Sequence, residues 1–170
     1  MGAGGVLMPP AGYWEGVQAI LNKYDILLVA DEVICGFGRT GKMFACETFN
    51  ITPDVLVVSK QITSSYMPLS AILMNDRFYQ PIADESDRIG SFGHGYTASG
   101  HPVATAVGLE NLKIIQERDL VGHVADLQDK FLSGLAELVK HPVVHSSRGI
   151  GLIGAVGTAN ARMVDPDYPH

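Results

Sequence analysis

Ile26-Leu27-Leu28-Val29-Ala30-Asp31-Glu32 and, further on, Val55-Leu56-Val57-Val58-Ser59-Lys60 are the two stretches that decide the fold. Each is an unbroken apolar run that stops on polar, chemically useful side chains. A strand with one wet face alternates apolar and polar residues, so runs without alternation fit strands covered on both faces in a parallel sheet. A third strand is expected over residues 69–74. Upstream, a Gly- and Pro-rich opening leads to Trp14, Val17, Ile20 and Leu21 at helical spacing, which predicts a helix from about Tyr13. Downstream, apolar periodicity predicts helices over about 102–116 and 120–139, and residues 148–156 read as a turn and a strand. The class is α/β, a mostly parallel sheet with flanking helices, in which functional groups gather at the carboxyl ends of strands.

Composition narrows the function. The chain has 170 residues, with 46% hydrophobic and only 18% charged, against roughly 25% charged in an average soluble protein. So little charge to coat a lone domain favours an oligomer or a portion of something larger. Net charge is −6, and the 12 Lys and Arg residues form no run, which sets nucleic acid aside as a partner. Cys35 and Cys46 lie in neither a Cys-x-x-Cys pair nor a His-rich segment, so no metal site is expected and reduced thiols in a cytoplasm are. With no apolar run of spanning length and no signal-like opening, the expectation is a soluble protein that neither crosses nor binds a membrane.

Gly36-Phe37-Gly38-Arg39-Thr40-Gly41 matches the dinucleotide pattern G-x-G-x-x-G, and extended to Lys42 it imitates a phosphate loop. Neither match survives its context. Asp31 and Glu32 separate the strand from the glycines, no convincing helix follows Gly41, and Met43 stands where a phosphate loop needs a hydroxyl for magnesium. Glycines that merely let a tight loop turn explain the segment.

The chemistry rests on Asp31 and Lys60. If their strands are parallel neighbours, both side chains leave the sheet at the same edge. A salt bridge, or two charges reaching water, would account for such a pair equally well. So would a pyridoxal-phosphate (PLP) site, which needs a Schiff-base lysine and a carboxylate that keeps the ring nitrogen protonated.

Leu27 to Gly41, followed by Pro53-Asp54-Val55 and Ser59-Lys60, resembles the signature of class III PLP-dependent aminotransferases. Residues 92–102, Phe-Gly-His-Gly-Tyr-Thr-Ala-Ser-Gly-His-Pro, resemble that family's phosphate-loop segment, especially in its omega-aminotransferase members, and residues 148–152 resemble the opening of its small domain. The resemblance implies the large domain of a fold type I, aspartate aminotransferase-like transferase. Residues 1–118 would be the central part of the PLP-binding large domain, 119–157 a connecting helix and the start of the small C-terminal domain, and 158–170 a divergent, unstructured tail. By position, Lys60 would carry the cofactor and shuttle the proton, and Asp31 would pair with the ring nitrogen. Val33, on the same side of the strand as Asp31, would pack on one ring face. Thr97 would give its hydroxyl to the phosphate of PLP in the neighbouring subunit, which implies a homodimer. Glu32 is a possible hydrogen-bonding partner near the ring, Arg39 is expected in an ion pair, and Gln61 stands where many members have glycine. The implied reaction moves an amino group from an amine or amino-acid donor to a keto acid such as pyruvate. The family also uses an upstream phosphate-binding turn, a ring-stacking aromatic residue and a carboxylate-binding arginine that have no counterpart in these residues. The alternative is therefore a non-catalytic remnant, competent only to self-associate or to pair with a complementary fragment.

Overall fold

The computed structural model describes Gly2 and residues 4–158. The tail expected over 158–170 falls outside this range except for Thr158, which ends a strand. Helix α1 spans Tyr13–Tyr24, entered through Gly12 at φ 80° and left through Asp25 at φ 54°. Its Trp14 ring meets Phe49 at a centroid distance of 6.3 Å. Strand β1, Val29–Asp31, pairs in parallel with β2, Val55–Val58, in the register Val29 to Val55 and Asp31 to Val57. Strand β3, Ala71–Met74, then pairs with β2 in the antiparallel sense. The sheet is therefore mixed, in the order β1-β2-β3. A parallel return needs a long crossover, usually a helix, whereas the 59–70 connection between β2 and β3 has no α-helix and opens on a 3-10 turn over Lys60–Ile62.

Asp54 fastens this sheet at its other end. Its carboxylate accepts from Leu28 N (2.8 Å) and Asn75 Nδ2 (2.9 Å), and Asn75 in turn accepts from Phe78 N as the N-cap of α3, Asp76–Ile89. Helix α3 is absent from the expectations above. Its sequence is mostly polar, and Pro81 sits inside it where proline ordinarily breaks a helix. The signals that would have found it are Asn75 as cap and Gly90 at φ 81° beyond its last turn.

Helices α4, Pro102–Glu117, and α5, Leu120–Leu138, match the expected spans closely. The single strand expected at 148–156 is a hairpin, β4 (Val144–Ile150) and β5 (Ile153–Thr158), forming its own two-stranded sheet against α5. At its turn Gly151 has φ 55° and donates to Gln128 Oε1 of α5 (2.7 Å), while Leu152 N donates to Arg39 O (3.0 Å). The glycine loop thus serves as a seat. Gly38 and Gly41, both at positive φ, lie against Val121 and Ala125 of α5 and hold the loop under the hairpin. One core cluster joins Val6, Cys35, Ala45 and Ile153, so the opening loop, the glycine loop and β5 share it.

The expectation of strands covered on both faces fails for the outer two. Val29 is 56% exposed and Ile72 60%, while Val58 in the central strand is fully buried. No element among the described residues lies over the outer strands' open faces.

Candidate active site

Lys60 sits directly beyond the carboxyl end of β2 and opens the 3-10 turn with φ 47°. A left-handed backbone in a non-glycine residue costs on the order of 1–2 kcal/mol, and Ser64 and Ser65 in the same loop also have positive φ. The surroundings hold this loop in place. Ser59 Oγ donates to Leu69 O (2.9 Å) and the buried Thr63 Oγ1 to Met67 O (2.6 Å). From α4, Asn111 Nδ2 donates to Gln61 O (2.7 Å) and Ile62 O (3.2 Å), and its Oδ1 meets Ser64 Oγ (2.7 Å). Gly108 lets α4 approach: a Cβ there would stand 2.9 Å from Leu69 Cδ2. The exposed Lys60 side chain lines a shallow cleft of about 260 Å³ with Ser59, Thr63, Ser65, Met67 and Leu69.

Asp31 is the last residue of β1, and the parallel pairing puts its end of the strand beside that of β2, at the edge that Lys60 follows. Strand β1 stops there, so Val33 lies in a turn rather than along the strand. Its N–H donates to Asp31 Oδ1 (2.9 Å), fixing the carboxylate and leaving its other oxygen without a donor among the described residues. No ion pair joins Asp31 to Lys60 among the described residues. The salt-bridge reading therefore has no support in this geometry.

Glu32 points elsewhere. It is 3% exposed, and its carboxylate accepts from Ala45 N (3.0 Å) and Cys46 N (2.7 Å) at the start of the one-turn helix α2, Ala45–Thr48. It holds a helix end, the short helix that sequence reading did not expect after Gly41. Burial, and then the Glu32 charge, push the thiols of Cys35 and Cys46 above their ordinary range. Arg39 makes no ion pair among the described residues. Gln61, with its amide oriented to suit both neighbours, accepts from Arg39 Nη2 (3.2 Å) and donates to Val33 O (3.1 Å). This bridge ties the lysine turn to the Asp31 turn, and sequence reading gave no sign of it.

Thr97 lies apart from these turns, in the fully exposed loop between α3 and α4. Phe92, His94 and Tyr96 pack edge to face along the same loop, with Tyr96 78% exposed. A larger depression of about 520 Å³ between the glycine loop and α5 carries Lys42 and Asp119 but includes neither strand end, so the Lys60 cleft is the better candidate. Among the described residues no cluster of His, Cys, Asp or Glu is placed to hold a metal, and no helix is long and apolar enough to cross a membrane.

The comparisons identify the fold type I transferases as the class to which this α/β chain is similar. Residues 1–168 match the model of the class III aminotransferase family, and the chain belongs to that family. It is 50% identical over 170 residues to gamma aminobutyrate transaminase 3, chloroplastic, of Solanum lycopersicum, covering 99% of this chain and 33% of that protein. It is 45% identical to vanillin aminotransferase of Capsicum annuum, covering 100% and 37%. Among solved structures, a transaminase with L-alanine superposes with a TM-score of 0.89 at 61% identity, over 92% of this chain and 37% of that one. The omega transaminase of Pseudomonas jessenii in complex with PMP does so with a TM-score of 0.89 at 57% identity, over 93% and 35%. The chain spans about a third of the length of these relatives.

Proposed function

We propose that this chain supplies the lysine-bearing part of a PLP-dependent transaminase that passes an amino group from an amine or amino-acid donor to a keto acid such as pyruvate. The observation that carries the proposal is that Asp31 ends β1 and Lys60 follows the end of its parallel neighbour β2, unpaired with each other, with Lys60 in a backbone conformation that a lysine adopts only at a cost. The donor set fits the cofactor: an exposed amine for its aldehyde and a fixed carboxylate for its ring nitrogen. When bound, PLP supplies an electrophilic carbon and a ring that accepts the electron pair of the substrate Cα–H bond. Lys60 would hold the cofactor through its amine, and the same amine would carry the proton taken from substrate Cα. Asp31, held by Val33 N–H, keeps a proton on the ring nitrogen. The Val33 side chain offers apolar contact to one ring face. Thr97, on its exposed loop, donates its hydroxyl to a phosphate in the neighbouring subunit of a homodimer.

The separate β4–β5 sheet supports dividing the chain into a large-domain part, residues 1–118, and a second part beginning with α5. The two buried, unpaired cysteines support a reducing compartment such as the cytoplasm. The test of the central proposal is to incubate the protein with excess PLP, reduce with borohydride and map the modified peptide. Lys60 is expected to carry the label, and modification of Lys23 or Lys42 with Lys60 untouched would defeat it.

The open faces of β1 and β3 favour a second reading, a chain that only associates with itself or with a complementary fragment. Concentration-dependent association without Lys60 labelling would support it over the first.

A further inference from the structure

We propose that Asn111 is a positioning residue for Lys60: one side chain from the middle of α4 holds the strained turn that presents the lysine amine at the sheet edge. The inference rests on the reading of Lys60 as the cofactor lysine. Lys60, Ser64 and Ser65 all have positive φ, so the loop would relax toward commoner conformations unless its surroundings over-determine it. Asn111 reaches it from another element and engages three groups at once, with Nδ2 on the carbonyls of Gln61 and Ile62 and Oδ1 on Ser64 Oγ. Its amide carries both a donor and an acceptor, and the contacts need both. Within the turn Gln61 O already accepts from Ser64 N (3.2 Å), whereas Ile62 O has Asn111 as its only donor among the described residues. The clamp also has a consequence for the site's layout. The helix that carries Asn111 begins at Pro102, directly after the Thr97 loop, so the lysine turn and that loop are mounted on one rigid rod. The Gln61 side chain ties the same turn to Val33, and together the two amides fix Lys60 relative to Asp31.

The test combines two readouts on the intact protein: how selectively excess PLP plus borohydride labels Lys60 over the other lysines across pH, and amide hydrogen exchange of residues 61–65. Asn111→Ala and Asn111→Asp should each reduce Lys60 selectivity about tenfold or more, shift the pH of half-labelling and speed exchange in the loop. The Asp variant keeps the acceptor for Ser64 and loses both donated bonds, so it decides the matter should the Ala variant fail to fold. Ile115→Val, a trim of a buried residue on the same helix, sets the baseline for simple destabilisation and should leave selectivity unchanged. Lys60 labelled in the parent protein with unaltered selectivity in both Asn111 variants overturns the positioning role and leaves the lysine assignment standing. A parent protein labelled elsewhere overturns the assignment, and this inference with it.

Discussion

At the scale of single residues, charge and hydrogen bonds make opposite use of similar carboxylates. Asp54 is held below the usual carboxylate range, first by the N–H of Leu28, then by Asn75 and by Arg77 nearby. A group whose folded pKa is depressed contributes stability above its unfolded pKa, about 3.9, and loses it as pH falls through the folded value. Urea midpoints should therefore drop below about pH 4, and Asp54→Asn should flatten that limb while costing about 1–2 kcal/mol at neutral pH. Asp31 has a different task. In a longer transaminase that contains this segment, Asp31→Asn should keep Lys60 labelling but lose turnover by on the order of 10²-fold or more, because the ring nitrogen no longer holds its proton; unchanged turnover in a folded variant would make Asp31 a structural charge only. Asp31 and Lys60 were legible in the sequence because each ends an apolar run. The Asn111 clamp, the Gln61 bridge and the work of Asp54 were not, since a side chain's hydrogen bond to a distant backbone depends on where the fold brings it. Glu32 shows the converse: its place beside Asp31 suggests ring chemistry, and the fold turns it into the core to hold two helix N–H groups.

At the scale of elements, the apolar runs and helical periods located α1, β2, α4 and α5, because an apolar stripe or run marks the face that packs. Elements marked mainly by caps or by a contact from outside were missed or misjudged. Helix α3 is amphipathic, but it is mostly polar, has no buried residue and carries Pro81 inside it, so its caps are the clearest sign of it. The direction of β3 was hidden for another reason, since an apolar run says nothing about which way a strand points. The short helix α2 depends on a single side chain from outside. Glu32→Ala leaves the N–H groups of Ala45 and Cys46 without their acceptor, and a loss of about 3 kcal/mol is expected in urea unfolding. The same substitution removes the charge that, after burial, raises both thiols. Cys35 and Cys46 should thus react slowly with a disulfide reagent near neutral pH in the parent protein and markedly faster in the Glu32 variant. Equal thiol rates in the two proteins would separate α2 from Glu32.

At the scale of the whole molecule, the site and the surface make opposing demands. The turns that present Lys60 and Asp31 are strongly over-determined, yet the sheet carrying them leaves Val29, Ile72 and Leu73 open, at 56%, 60% and 46% exposure. Apolar surface of that kind in a sheet with free edges drives association. Cofactor affinity meets a similar shortfall. A phosphate dianion is best held by several oriented N–H groups at a helix N-terminus. Among the described residues the Lys60 cleft is lined instead by Ser59, Thr63, Ser65 and apolar side chains, while Thr97 stands on a separate exposed loop. Two covalent or ionic anchors without a phosphate cradle can capture PLP transiently, which reduction will trap, but they do not fix the geometry on which rate depends. The 170 residues alone should therefore bind PLP weakly, self-associate as concentration rises, and show no useful turnover with an amine donor and pyruvate. Spectroscopic titration with PLP, sedimentation across a concentration series and a transaminase assay on the same preparation check the three parts together. Stoichiometric binding at micromolar PLP with repeated turnover would mean that the lysine turn, Asp31 and a self-assembled partner surface suffice for the whole reaction.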